Sequence, residues 1–342
     1  MKLVSYVERP IQGERLSIKL GALLGEQCVV DLPIAQTWAQ GARGLRAREL
    51  PRTMMELLNA WDDYAPHLEQ LISLLPQDNS CLSLKGAGRQ PVARTRQDVF
   101  LLPPVPNALS LRDFMGFEQH VQNARRLRNQ PVPSAWYDMP VFYYGNPLTL
   151  SGPDQGITAP TQGASLDYEL EIAVVIGRAG RNISPEDAPQ HIAGYMVMND
   201  WSLRDVQIKE MGVGLGPAKG KDFATTVGPA LVTPSELADR QVGEGADLRY
   251  DLEMVARVNG KETSRGNFKD IHWTVSQMIA RASRDVTLLP GEIIGTGTVG
   301  TGSLLEQGAQ ESGEWLKPGD QVELEVERLG RLVTPILPPE FE

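Results

Sequence analysis

Residues 165–177 read SLDYELEIAVVIG. Carboxylates fall at alternate positions in the first half (Asp167, Glu169, Glu171), and apolar residues fill the second. Alternation with a period of two is the mark of a β-strand, where residues i and i+2 project from one face about 7 Å apart. Glu169 and Glu171 would then stand side by side, while Leu166, Tyr168, Leu170, Ile172 and Val174 form the opposite face and pack on a core. Two anions this close repel each other unless a cation lies between them. The stretch reads either as an amphipathic strand with one wet acidic face or as half of a divalent-metal site.

The chain has 342 residues, more than one compact core usually takes, so one large domain and a smaller one are expected. A formal charge of −10 argues against nucleic acid or an anionic membrane as the main partner, but leaves room for a locally basic pocket that takes an acidic substrate. Cys28 and Cys81 stand far apart without a CxxC spacing, which suggests neither a zinc site nor a disulfide framework. With only His67, His120, His191 and His272 available, a metal should be held by oxygen ligands. MKLVSYVERPIQGERLSIKL has no apolar signal core, and no run approaches the ~18 apolar residues of a membrane span; the protein reads as cytoplasmic.

LVSYV, LSIKLGALL and CVVDL are short β-type runs in the first hundred residues. Residues 53–75 carry apolar side chains at helical spacing, with Pro66 expected to split two helices. RDFMGFEQHVQNARRLRN (112–129) repeats Phe114, Phe117, Val121, Ala124 and Leu127 every three or four residues and predicts one helix with a buried stripe. Asp113 stands at its start and His120 seven residues on, about 10 Å along the axis, too far to share one ion. Taken alone, Asp113 reads as an N-cap and His120 as a helix-surface residue. A ligand and a separate base acting on one substrate is also a workable arrangement.

AWYDMPVFYYGNPLTL (135–150) reads as an aromatic loop that can wall a pocket and offer the Tyr143 or Tyr144 hydroxyl. GYMVMN predicts a buried strand ending at Asp200, a place for a ligand or a turn residue, with a helix from about Ser202. GVGLGPAKGKDFATTVGP has the wrong spacing for a Walker loop, yet gathers Lys219, Lys221 and several backbone N–H groups, which suits a carboxylate or oxyanion. A hairpin turning at Asn259-Gly260 and a helix over 274–283 follow. GTGTVG is a formal GxGxxG, but no helix pattern follows it. Glu323, Glu325 and Glu327 alternate on a closing strand as a solvated face.

Six stretches in order then match one known family: Asp113-x6-His120, PVFYYG, LDYELEIAVVIG, NDWSLRDVQ, GPAKGKDFATT and IIGTGTVGTGS. Over roughly residues 100–335 the chain resembles the fumarylacetoacetate hydrolase family. The resemblance implies a β-rich α+β fold, with a mixed β-sandwich or β-roll catalytic domain over 101–342 and a smaller β-containing domain over 1–100. It places metal ligands at Asp113, Glu169, Glu171 and Asp200, an all-oxygen set suited to Mg²⁺, Mn²⁺ or Ca²⁺ rather than zinc. Thr225 falls near a second, looser cation. The general base falls on His120 and a glutamate that orients it on Glu306. Gln207 and Lys221 match groups holding substrate oxygens, Tyr143 and Thr298 match substrate contacts, and the substrate arginine falls on Arg128 or Arg126. Asn123 stands where shorter relatives carry a glutamate, and the loop between Gln207 and Lys221 is one residue longer than in the animal hydrolase. The implied partner is a small 1,3-dicarbonyl or 2-oxo acid, and the implied assembly a homodimer. The implied activity is metal-dependent hydrolysis of a carbon–carbon bond, with isomerisation, tautomerisation or decarboxylation in the same site as the alternative. A ligand-binding protein without catalysis stands behind both.

Overall fold

A computed structural model describes residues 1–9, 17–25 and 27–340. Leu16, the first residue of the expected strand LSIKLGALL, lies outside them. The strands that build the molecule are β1 (Lys2–Glu8), β2 (Lys19–Leu24), β3 (Cys28–Asp31), β4 (Ala93–Thr95), β5 (Leu111–Phe114), β6 (Phe142–Gly145), β7 (Ile157–Thr158), β8 (Leu170–Ile176), β9 (Ile192–Asp200), β10 (Thr225–Val232), β11 (Glu253–Val258), β12 (Lys261–Asn267), β13 (Ile293–Gly295), β14 (Gln321–Val326) and β15 (Gly330–Leu337). The main path of a twelve-stranded sheet runs β4-β3-β2-β1-β10-β9-β8-β13-β5-β6, and a five-stranded sheet runs β12-β11-β14-β15-β7. The fold is α+β and rich in β structure.

Strand β8 shows why both sheets are needed. Its seven residues are all buried. Ile172 and Val174 join a core shared with Met254, Ala256, Leu324 and Leu332 of the five-stranded sheet. Ala173 and Val175 face the other way, into a core with Leu32, Ala35, Leu57 and Leu71. Those last four come from the helices α1 (Leu32–Arg43), α2 (Met54–Leu58) and α3 (Trp61–Ser73). The large sheet is therefore a middle layer, and the acidic face is covered, which rules out the wet-face reading of this strand. The sheet also continues across residue 100: β1 pairs antiparallel with β10, Leu3 opposite Leu231.

Several local expectations give way to tertiary contacts. Leu111–Phe114 is a strand, not the first turn of a helix, because Asp113 pairs with Tyr143 on one side and Gly295 on the other. Helix α4 (Glu118–Arg126) begins only after Phe117, so Asp113 is no N-cap, and the distance expected along one helix axis does not apply. His120 is buried rather than on the helix surface. Helix α3 runs through Pro66; the break lies before it, where Ala60 leaves helical backbone (φ −131°, ψ 35°). One proline removes one ladder bond, while Leu68 and Leu71 of the same helix reach the core. Residues 142–145, read as loop, form the edge strand β6. The cysteines, far apart in sequence, meet with their Sγ atoms 2.8 Å apart.

Other expectations agree with the structure. The Asn259-Gly260 turn joins β11 to β12, both residues at positive φ. Helix α6 (Val275–Ala282) starts at a capping box between Thr274 and Gln277. No helix among the described residues is long and apolar enough to cross a membrane.

Candidate metal centre and active site

Alternation along the strands gathers the carboxylates. Glu171 shares a face of β8 with Ala173 and Val175, Asp200 a face of β9 with Met196 and Met198, and Asp113 a face of β5 with Leu111. All of these apolar residues belong to the core beneath α1–α3. The acids continue that face at the strand ends, with Glu169 just ahead of β8. One oxygen from each of Asp113, Glu169, Glu171 and Asp200 lies within 4.8 Å of the others, and all four residues are buried.

Glycines let these groups meet. Gly295 of β13 lies between β5 and β8, opposite Asp113 and Ala173. A Cβ there would sit 2.3 Å from Asp113 Oδ1 and 2.4 Å from Met198 Cε, so only glycine leaves room for the Asp113 carboxylate. Gly297, at φ +89°, donates its N–H to Glu171 Oε2 (3.0 Å), and Thr298 Oγ1 donates to Glu171 Oε1 (3.1 Å). The glycine-rich GTGTVG run thus cradles a carboxylate, not a dinucleotide.

Around the acids stand three basic groups. Lys221 Nζ donates to Glu169 and to Asp200. Arg204 begins helix α5 (Arg204–Val213). Its Nε donates to Asp167 Oδ2 (2.8 Å), its Nη1 to Gln207 Oε1 (3.1 Å), and its Nη2 lies 2.8 Å from Glu169 Oε1. His120 Nδ1 is 2.8 Å from Glu306 Oε2, and its Nε2 faces Glu169 Oε1 at 4.0 Å. Asn123, Thr301 N–H and Ser303 also donate to Glu306. Tyr143 donates its hydroxyl to Asp200 Oδ2 (2.5 Å).

The titration directions follow from this crowding. Burial raises the carboxyl pKa of Asp113 well above the ordinary range, and the Asp200 charge adds to it. Burial does the same to Glu171, reinforced by Asp113, Glu169 and Asp200. Glu169 goes the other way: burial opposes its charge, but Lys221, Arg204 and His120 outweigh burial and hold it low. Burial would pull His120 down, yet the Glu306 and Glu169 carboxylates hold it above its ordinary value.

A divalent cation fits this site. Setting Arg204 against Asp167 and His120 against Glu306 leaves four carboxylates facing the one ammonium of Lys221. Asp113 Oδ1 is buried without a hydrogen-bond partner. Four oxygens converging on one point with unbalanced negative charge are the donor set of a hard cation.

A cavity of about 610 Å³ opens over the cluster. Asp113, His120, Tyr143, Glu169, Glu171, Gln207, Lys221 and Thr298 line it, as does Arg128; Arg126 does not. Thr225 is buried beside Asp200 on the neighbouring strand and is not part of the lining. Two groups escaped the sequence reading. Arg125 also lines the cavity, and Arg204 links Asp167, Glu169 and Gln207. The signal for Arg204 was present in NDWSLRDVQ: a buried Asp167 needs a cation, and this arginine lies between two site residues.

The family model described as fumarylacetoacetate (FAA) hydrolase C-terminal matches residues 110–337. The chain belongs to the fumarylacetoacetate hydrolase family. It is 31% identical over 284 residues to a human protein named oxaloacetate tautomerase FAHD2A, mitochondrial, covering 82% of this chain and 83% of that protein. It is 35% identical over 217 residues to the 2,4-didehydro-3-deoxy-L-rhamnonate hydrolase of Sphingomonas sp. (strain SKA58), covering 63% of this chain and 68% of that protein. The crystal structure of maleylpyruvate hydrolase from Sphingobium sp. SYK-6, in complex with manganese(II) and pyruvate, shares the fold, with a TM-score of 0.65 and 20% identity over 99% of this chain and 100% of that one. The fumarylacetoacetate hydrolase family thus includes hydrolases and a tautomerase among these relatives.

Proposed function

We propose that the protein is a divalent-metal-dependent hydrolase that cleaves a carbon–carbon bond in a 1,3-dicarbonyl or acylpyruvate-type 2-oxo acid. The observation behind this reading is the His120–Glu306 pair, which sets an imidazole at the wall of the cavity beside the carboxylate cluster. Asp113, Glu169, Glu171 and Asp200 would hold Mg²⁺ or Mn²⁺, which supplies Lewis acidity toward the paired oxygens of a dicarbonyl substrate.

This chain's own residues divide the remaining work. Glu306 accepts the Nδ1–H of His120 and so leaves Nε2 free to take a proton from water. The hydroxyl adds to the acyl carbonyl carbon. Lys221 Nζ and the Gln207 amide N–H donate to the oxygen that becomes negative. The carbon–carbon bond then breaks, its electron pair stays with the carbon of the 2-oxo fragment, and that carbon takes the proton from His120. Water is thereby divided, OH to the acyl fragment and H to the other. Arg125 and Arg128, at the cavity wall, suit an acidic group on the substrate.

A second reading has its own support in the similarity to the human tautomerase over 82% of this chain. There His120 would move a proton between carbon and oxygen without water entering the product. A panel of acylpyruvates, acylacetoacetates, oxaloacetate and sugar-derived 2-oxo acids, assayed with Mg²⁺ or Mn²⁺, separates the two. The hydrolase reading expects two fragments from an acylpyruvate, lost on chelation and in His120→Ala. Tautomerisation of oxaloacetate with no dicarbonyl cleaved would replace it by the second reading, and cleavage undiminished by chelation would overturn both.

A further inference from the structure

Outside the active site, the chain's two cysteines are the reactive groups that the fold brings together. Cys28 opens β3, and Cys81 lies in the short helical turn Asn79–Ser83 that follows α3. Their Sγ atoms are 2.8 Å apart, although 53 positions separate the residues in sequence. Both are fully buried in the core between the large sheet and α1–α3. Asn79 Oδ1 lies 3.8 Å from Cys28 Sγ, and the Asp78 carboxylate is close enough to act on Cys81. The carboxylate cluster is the one group of three or more potential metal ligands found among the described residues, and neither cysteine belongs to it. The thiol pair is therefore not a zinc site, and the partner each thiol faces is the other.

We propose that Cys28 and Cys81 are joined by a reversible disulfide when the protein meets a small-molecule disulfide, and that this bond staples the helical layer to the large sheet. A disulfide bond is about 2 Å long, so the sulfurs need approach by less than about 1 Å. Gln77 to Ser80, on the N-terminal side of Cys81, are exposed, and local opening of this short turn would admit an oxidant to the buried pair. Burial and the neighbouring Cys28 push the Cys81 thiol up to about 12, so Cys81 rests as a thiol near neutral pH.

The chemistry balances through two exchanges. One protein thiol loses its proton and attacks a sulfur of R–S–S–R, which releases R–S⁻ and leaves a mixed disulfide. The second protein thiol loses its proton and attacks the protein-side sulfur of that mixed disulfide, which releases a second R–S⁻. The two protons go to the two released thiolates. The protein pair is oxidised by two electrons and the small disulfide is reduced to two thiols. The new bond closes the chain segment from 28 to 81, which holds α1, α2 and α3. Closing a segment of that length restricts the unfolded chain and stabilises the folded one.

The test uses the full chain, reduced, freed of reductant, and incubated with oxidised glutathione. Free thiols counted under denaturing conditions should fall from two per chain to none. The intact mass should drop by about 2 Da, because each chain loses two hydrogen atoms without a glutathione adduct. The melting temperature should rise by about 5 °C or more, and dithiothreitol should reverse the change. Cys81→Ser and Cys28→Ala should each abolish the mass loss and the thermal shift. If a variant fails to fold, the mass of the oxidised wild-type chain still decides the matter. Two thiols persisting after incubation, a lasting glutathione adduct on one cysteine, or chains linked in pairs would each overturn the proposal. None of these readouts depends on the catalytic reading above.

Discussion

His120 Nδ1 lies 2.8 Å from Glu306 Oε2, across 186 positions of sequence. The carboxylate has hydrogen bonds from Asn123, Ser303 and the Thr301 N–H as well, so it is held in place independently of the imidazole. If His120 is the base, as proposed, His120→Ala should lower kcat by about 10²–10⁴-fold. Glu306→Gln should lower kcat by about 10–100-fold with a smaller change in KM, because the imidazole loses its orientation but not its place. Steady-state kinetics on a cleavable acylpyruvate, with circular dichroism to check the fold, reads both. An unchanged kcat in His120→Ala would place the base elsewhere.

The four clustered acids predict one tight divalent cation per chain. Manganese titrated into chelator-treated protein should show that stoichiometry by calorimetry. At a hundred times Kd the ion should add about 2.7 kcal/mol to stability, visible as a thermal shift. Asp200→Asn and Glu171→Gln should weaken binding by at least about 10-fold each.

Gly295 is a position where one methyl group reaches the site. Its added Cβ would stand 2.3 Å from Asp113 Oδ1 and 2.4 Å from Met198 Cε, so these side chains must move to admit it. Gly295→Ala should therefore displace the Asp113 carboxylate and lower manganese affinity by about 10–100-fold. Affinity equal to wild type would show that Asp113 contributes little to the ion.

The Asp167–Arg204 pair is buried on both sides, with side-chain exposures of 0% and 4%. Asp167 also accepts the N–H groups of Leu304 and Leu305, immediately before Glu306. Asp167→Asn leaves a buried guanidinium short of one charge, and about 3–5 kcal/mol of stability should be lost in urea unfolding.

Glu210 accepts three backbone N–H groups, those of Ala218, Lys219 and Gly220, just ahead of Lys221. Burial opposes its charge, but these bonds outweigh burial and hold its carboxyl below the ordinary 4.5. A lowered folded-state pKa means that the contribution is complete above about pH 4.5 and disappears as pH falls through the folded value. The urea midpoint of wild type should exceed that of Glu210→Gln near neutral pH, and the gap should close as the solution is acidified below about pH 4.

What could be read along the chain was whatever repeats within a few residues. The alternation through Glu169 and Glu171, the hairpin at Asn259-Gly260 and the helix over 274–283 rest on local patterns, and each appears where expected, to within a residue at the helix ends. Asp113 was misread for the same reason: the helical spacing from Phe114 to Leu127 is real as a pattern, but pairing with Gly295 and Tyr143 holds residues 111–114 in the sheet. A local pattern states a preference of the chain, and a strand with partners on both sides outweighs it.

The sequence by itself determined the chemistry of the site: oxygen donors rather than thiolates, an imidazole, a lysine and an arginine, and the alternation that presents Glu169 and Glu171 and the strand that ends at Asp200. Only the tertiary structure decided the company those groups keep. It set Glu306 behind His120, tied Arg204 to Asp167 and Glu169, passed the Asp113 carboxylate over Gly295, and laid Cys28 against Cys81. The physical reason lies in distance along the chain. Side-chain direction on a strand follows from the backbone of that strand, whereas contacts between residues 35 to 186 positions apart arise only when the sheets pair and their two faces are covered.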